Sequence, residues 1–379
     1  MRIGPTWWQA ARRRIARSCW PMLPFLAAVL GIGLSVQWSV DADLSFPEGH
    51  ALRLAVLGVC AVVAMAYGVR RWRRQAYLVY AGAFFLVVLV LFVGRETNNS
   101  RRWIDLVAGF KLQPSEFMKL ALILALSRWF ADHPRPRSLW DLRWPLVMTV
   151  VPAFLILIEP DLGTALVFAP LLLALVWVAG LPARAMRWLL LLPTLVAPAG
   201  WFFIQDYQKE RILTWWHQDE LTEAEKAAEG YHLWHAKLAV GTGGLTGFGW
   251  GEGPENRLDR LPERHNDFVF PVIAEEGGLL GAGLFLLVYL GMGLALLAAA
   301  SRHRDPFNRF VLAGIGSHFL IHLVLNVGVT LGVWPTTGLP LPLVSFGGSS
   351  MIVSGLALGL ALAVSADREM DLSSKAFEA

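Results

Sequence analysis

Apolar residues in this chain gather into long runs, not into the alternating or three-to-four-residue patterns of soluble strands and helices. Windows at roughly 20–40, 51–69, 76–94, 113–130, 145–158, 162–180, 187–206, 268–299, 310–333 and 349–366 approach the roughly 20 residues a helix needs to cross a bilayer. They predict an all-α polytopic membrane protein of about ten transmembrane helices. A large extracytoplasmic loop, 207–267, separates the seventh window from the eighth. Residues 20–366 are then the membrane domain, 1–19 a cytoplasmic basic interfacial segment and 367–379 a cytoplasmic tail. No short or Gly/Pro-broken helix in the first half has a counterpart in the second, so the pattern of an inverted-repeat transporter is missing.

The polar positions between the runs set the orientation. Arg12, Arg13, Arg14 and Arg17 lie before the first run, and every second loop after it is again rich in arginine: Arg70, Arg71, Arg73 and Arg74; Arg135, Arg137 and Arg143; Arg184 and Arg187; Arg302, Arg304 and Arg309. The positive-inside rule places these loops and both termini in the cytoplasm. Two outward segments depart from that rule. Loop 95–112 holds Arg95, Arg101, Arg102 and Lys111 without an acidic excess, which leaves an anionic ligand and a plain surface as equal readings. Across 207–229 the acids balance the bases, and a self-neutralised loop is the expectation.

Composition agrees with the runs: 55% of residues are hydrophobic and only 16% charged, with a mean hydropathy of +0.50. That excludes an ordinary soluble domain. The formal charge of +4 is spread over the ends of apolar runs, where it orients helices instead of marking a nucleic-acid surface. Many of the 17 tryptophans flank the runs, where an amphipathic ring sits at the headgroups. Two cysteines, Cys19 and Cys60, can build neither a disulfide framework nor a Cys-based metal site. No small-residue cleavage site follows the first run, so PTWWQAARRRIARSCW reads as an interfacial segment and not a signal peptide.

Against this apolar background a few polar motifs stand out. In QPSEFMK (113–119), Glu116 and Lys119 share a helix face inside a span, either as a self-neutralising pair or as a phosphate contact. Asp161 in EPDLGT reads first as a helix cap. The run GTGGLTGFGWGEG (241–253) lacks the surrounding fold and the lysine of a phosphate loop, so its glycines imply tight turns or close backbone approach. His232/His235 and His318/His322 lack the glutamate of a zinc-protease helix and read as hydrogen-bonded histidines. PTTGLPLPLVSFGGSSM (335–351) is too rich in proline and glycine for a helix. At membrane depth it has to be buried or line a cavity, so it is expected to wall an outward pocket. LPERHNDF (261–268) sets Asp267 where water gives way to hydrocarbon, among Glu263, Arg264 and His265 and ahead of Glu275 and Glu276. Asp267 is either an N-cap or a general base at the mouth of an apolar cavity.

Taken together, RRWIDL (101–106), QPSEFMK, PDLGT, GYH (230–232), GTGGLTGFGWGEG, LPERHNDF, EEGG (275–278) and TGLPLPLVSFGGSS (337–350) make the chain resemble the SEDS proteins of the RodA/FtsW type. LPERH is closer to the elongation (RodA) branch. The resemblance covers nearly all ten windows. It departs at His235-Ala236, Phe248, Asn266 and Asn98-Asn99, where relatives commonly carry other residues.

The resemblance implies a peptidoglycan glycosyltransferase that polymerises lipid II at the outer face of the cytoplasmic (inner) membrane. A class B penicillin-binding protein is the implied partner. On this reading Asp267 is the catalytic carboxylate, and Arg101, Arg102, Glu116, Lys119, Asp161, His265, Glu275 and Ser345 are candidates for holding substrate. No metal ligands are assigned, and Mg or Mn is the one cofactor option, as a counterion for pyrophosphate. A lipid II flippase would use the same lipid and cationic pocket, and a non-catalytic scaffold for the penicillin-binding protein would leave Asp267 a cap. The absence of SxxK and KTG argues against a transpeptidase.

Overall fold

The computed structural model describes residues 21–40, 45–97, 100–105, 111–202, 204–226, 228 and 230–376. The expected interfacial segment 1–19 lies outside them. The first seven long helices are α1 Met22–Val40, α2 Ser45–Tyr67, α3 Val69–Val93, α4 Pro114–Asp132, α5 Arg143–Ile158, α6 Leu162–Ala179 and α7 Ala183–Gly200. Short helices α8 Asp206–Trp216, α9 Glu223–Lys226, α10 Tyr231–Thr242 and α11 Pro254–Arg257 follow. Then come α12 Val269–Arg302, α13 Pro306–Thr330 and α14 Gly348–Ala376.

Each of the ten apolar windows holds one of the long helices, and eight of the described helices are long and apolar enough to cross a membrane. The chain is therefore a polytopic, almost entirely helical membrane protein. α4 and α7 fall outside those eight; α4 carries Glu116, Lys119, Arg128 and Asp132. Local chemistry fixes several starts. Pro114 opens α4 at a position where no backbone donor is lost. Asp305 caps α13 by accepting from the Asn308 amide at 3.0 Å.

Burial orders the bundle. The spans in α13 and α14 are 72% and 83% buried, against 22% for those in α2 and α3, so α13 and α14, together with α4, which is buried along most of its length, form the centre. α14 lies against α2 through Gly355 and Gly359, where an added Cβ would stand 2.4 Å from the Leu57 carbonyl oxygen and 2.1 Å from that of Ala61. Small residues four apart allow this backbone contact in a bilayer, where packing rather than water drives helices together. At one end, Arg73 reaches Asp305 at 3.1 Å and Asp132 at 3.8 Å, so three of the arginine-rich segments meet on the same side.

Three features differ from the sequence expectation. Segment 95–112 contains a three-stranded antiparallel sheet, β1 Arg95–Thr97, β2 Ser100–Asp105 and β3 Lys111–Leu112, with Arg95 opposite Trp103 and Asp105 opposite Lys111. Segment 207–267, expected as a large loop, is largely folded into α8–α11. The eighth window is not one straight helix, because α12 breaks at Gly278 (φ 60°, ψ −165°).

The glycine-rich loop fills that break. Phe248 and Gly249 donate to the Glu275 and Glu276 carbonyls at 3.1 and 3.0 Å, and Leu279 and Leu280 donate to Gly244 and Leu245 at 2.8 and 3.0 Å. The backbone groups that the kink releases are thereby paired within protein, as a low-dielectric setting demands.

Candidate active site

Asp267 precedes α12 without capping it. The helix starts after Phe268 with no side-chain cap, and Asp267 Oδ1 is buried with no hydrogen-bond partner in the structure. The backbone leading to it is pinned at three successive carbonyls. His265 O accepts from Gln37 Nε2 at 2.9 Å and from the Phe346 amide at 2.9 Å. Asn266 O accepts from Ser345 Oγ at 2.5 Å, and Asp267 O from Asn326 Nδ2 at 2.9 Å. Gly338, at φ 68°, leaves room beside the carboxylate: a Cβ there would lie 3.4 Å from Oδ2. A carboxylate on a fixed backbone with no committed partner is suited to taking a proton from something that enters.

Its charge environment is mixed. Burial pushes the Asp267 carboxyl up to about 7, and the nearby Glu263 adds to the rise. Arg102 and Arg211 oppose it, and Asp161 pushes the same way as Glu263. Desolvation and a like charge both disfavour the ionised form, which brings the group near neutral pH.

Near it lies a narrow cleft lined by Arg102, Pro160, Leu162, Tyr207, Gln208, Arg211, Thr336 and Thr337. Arg102 enters from β2 and stands 3.7 Å from Asp161. Asp161 caps α6 by accepting from the Thr164 amide at 3.2 Å, and also accepts from Gln113 Nε2 at 2.8 Å. The cap reading was correct, and the same carboxylate orients an arginine of the cleft. Tyr207 Oη donates to Pro160 O at 2.5 Å, and Arg211 Nη1 donates to Thr336 O at 3.3 Å. Glu159, fully enclosed next to Asp161, is pushed up to about 9 by burial and by that neighbour, so it is neutral at pH 7.

The structure gathers Asp267, Arg102, Asp161, His265 and Ser345 into one region and gives others different work. Lys119 is fully buried, with Nζ 2.7 Å from Glu116 Oε1 and 3.1 Å from His322 Nε2. In place of the expected phosphate contact the structure shows a sealed ion pair, set in tightly packed protein where an unpaired charge would be costly. Glu275 is likewise committed: its two oxygens accept from the Glu255 and Asn256 amides at 2.7 and 3.1 Å, holding the start of α11. Ser345 accepts from the Leu341 amide at 2.8 Å while donating to Asn266, so it supports backbone where a substrate contact was expected. The His265 ring lies 3.7 Å from Glu263, and burial lowers its pKa. Arg101 belongs to β2, and its side chain lies outside the described residues.

Arg211, Tyr207 and Gln208 were missed. They sit in 207–229, which reads as a self-balanced loop; the available signal was Tyr207 and Arg211 one turn apart on a helix started by the Gln205 capping box. Among the described residues, no three His, Cys, Asp or Glu side chains converge as a metal site.

Comparison with known proteins gives these motifs a lineage. The family model for cell cycle proteins of the FtsW/RodA/SpoVE type matches residues 16–370. The peptidoglycan glycosyltransferase MrdB of Escherichia coli (strain K12) is 33% identical over 351 residues, 92% of this chain and 94% of that protein. A chain of a peptidoglycan synthase complex, solved for the structural coordination of polymerization and crosslinking, superposes with a TM-score of 0.79 at 32% identity, covering 93% of this chain and 98% of that one. The rod shape determining protein RodA of Thermus thermophilus superposes with a TM-score of 0.71 at 30% identity, covering 93% and 97%. With a family match over nearly its whole length, relatives of this identity and the same fold, the chain belongs to the SEDS family of FtsW/RodA/SpoVE cell cycle proteins.

Proposed function

We propose that this chain is a peptidoglycan glycosyltransferase that polymerises lipid II, with Asp267 as its general base. The observation that carries the proposal is a carboxylate on a pinned backbone, with its Oδ1 uncommitted, next to a cleft lined by Arg102 and Arg211. A growing glycan on a polyprenyl diphosphate is the donor. The 4-hydroxyl of an incoming lipid II sugar attacks its anomeric carbon and gives its proton to Asp267. The new glycosidic bond forms as the bond to diphosphate breaks, and both electrons of that bond leave with the diphosphate. Diphosphate is a good leaving group, so no second carboxylic acid is needed. A base that titrates near pH 7 combines an available ionised form with adequate basicity.

Arg102 and Arg211 are placed to meet charge growing on the diphosphate. A Mg or Mn ion carried on the diphosphate would neutralise part of its charge. Relatives named RodA and MrdB support the elongation branch and a role in cell shape. A class B penicillin-binding protein is the partner, and the arginine-rich end with both termini faces the cytoplasm in the inner membrane.

The test is polymerisation of labelled lipid II by purified protein with its cognate partner, the partner's transpeptidase blocked. Arg211→Gln is expected to lower kcat/KM about 10- to 100-fold, and Arg211→Lys to recover part of it. Wild-type turnover in Arg211→Gln would remove this cleft from the diphosphate. No polymer from wild type would favour the flippase or scaffold readings and call for a lipid-transport assay.

A further inference from the structure

Two buried side chains one turn apart on α13 join the backbone of Asp267 to the segment that follows Gly338. Asn326, nearly inaccessible, donates both amide hydrogens: Nδ2 lies 2.9 Å from the Asp267 carbonyl oxygen and 2.9 Å from that of Leu339. His322, fully buried, takes the next carbonyl along, with Nδ1 3.2 Å from Pro340 O. Its Nε2 lies 3.1 Å from Lys119 Nζ, and Lys119 reaches Glu116 at 2.7 Å. An ammonium group only donates, so Nε2 accepts and Nδ1 carries the proton that binds Pro340. Residues four apart on a helix share a face, so α13 reads the consecutive carbonyls of Leu339 and Pro340 from one side. A continuous chain thus runs from Glu116 through Lys119 and His322 to the 335–347 segment, and Asn326 joins that segment to the backbone of Asp267.

We propose that Asn326 and His322 are positioning residues for Asp267, and that the buried Glu116–Lys119 pair acts through them rather than on substrate. Three facts favour this over a merely packed core. Lys119 has no exposed surface with which to meet a ligand. Both amide hydrogens of Asn326 are used, one on each of the two segments that must stay in register. Residue 338, next to Leu339, is the glycine whose missing Cβ leaves space beside the carboxylate. A base displaced by about 1 Å can lose about 100-fold in rate, so a clamp of this kind has catalytic consequences without touching substrate.

This inference rests on the transferase reading for its kinetic arm and is independent of it for its structural arm. In lipid II polymerisation, Asn326→Ala and His322→Val are expected to lower kcat at least about tenfold while KM stays within about twofold. His322→Gln keeps an acceptor for Lys119 and a donor for Pro340, and should return kcat to within about threefold of wild type. Separately, with Cys19 and Cys60 replaced by serine, Asp267→Cys is labelled by a membrane-impermeant thiosulfonate with and without Asn326→Ala. Labelling at least about threefold faster when Asn326 is lost is the result expected of a released clamp. Unchanged labelling in a folded variant overturns the proposal, as does a loss confined to KM, which would put Lys119 on the substrate. If wild type makes no polymer while labelling still accelerates, the transferase reading fails and the clamp stands.

Discussion

Asp267→Asn is expected to abolish lipid II polymerisation, by at least about 100-fold in kcat, while the protein remains folded. The amide has the shape of the carboxylate and cannot accept the sugar proton. Nothing structural is lost with the charge, because Oδ1 has no partner and the residue does not cap α12. The carboxyl titrates at about 7, above its usual 3.8, so the protonated form predominates below that value. The rate of wild type should therefore fall about tenfold per pH unit on the acid side of pH 7 and level off above it.

The stability effect has the opposite sign. A carboxyl whose folded pKa is raised stabilises the fold fully below pH 3.8, and that contribution is lost progressively as pH rises through about 7. Above pH 7 the buried charge works against folding by at most about 4 kcal/mol, and by less because part of Asp267 still meets solvent. Asp267→Asn should then melt at or above the wild-type temperature at pH 8, the pattern of a catalytic group kept at a cost to stability. A melting point lowered by several degrees, with residual activity, would make Asp267 a structural residue and place the base elsewhere.

Gly247→Ala is the second large effect, this time on the fold. Gly247 has φ 77°, and a Cβ there would come within 2.0 Å of the Glu276 carbonyl oxygen and 2.6 Å of the Gly278 amide nitrogen. Both contacts are backbone, so neither can rotate away. The left-handed conformation costs an alanine about 1–2 kcal/mol, and overpacking against the kink adds about 1–3 kcal/mol. Gly249, at φ 97°, has open space around its missing Cβ, so Gly249→Ala carries the conformational cost alone. The expected order of thermal midpoints in detergent is wild type, then Gly249→Ala, then Gly247→Ala well below. The loss should reach activity too, since the kink places Glu275, which holds α11, and residues 261–267 follow α11 directly. Equal midpoints for the two variants would show that loop and kink separate easily.

Much of this protein is written in one dimension. Hydrophobic run length is a local property, and the bilayer permits only structures that satisfy their own backbone, so ten windows became ten helices without knowledge of their neighbours. Motif order was equally legible, and with it the family. The cap at Asp161 and the backbone role of the glycine run also follow from local chemistry, as Thr164 and the Gly278 kink bear out.

Long-range packing decided the rest. Whether Lys119 faces a ligand or a histidine 203 positions away depends on how α4 meets α13, which no spacing along α4 encodes. Arg211 looked like one charge among many in a balanced segment, until α8 brought it to Thr336 at a sequence distance of 125. Asp267 and Asp161 both stand at helix starts and look alike as caps. Asp161 takes the Thr164 amide as a local cap, but only the fold adds Gln113 and Arg102 to it and leaves Asp267 Oδ1 uncommitted, because partners for a buried carboxylate come from whatever the tertiary structure presses against it. Composition and periodicity determine which segments enter the membrane; the burial and partners of a few charged side chains, and hence their chemistry, exist only once the helices have packed.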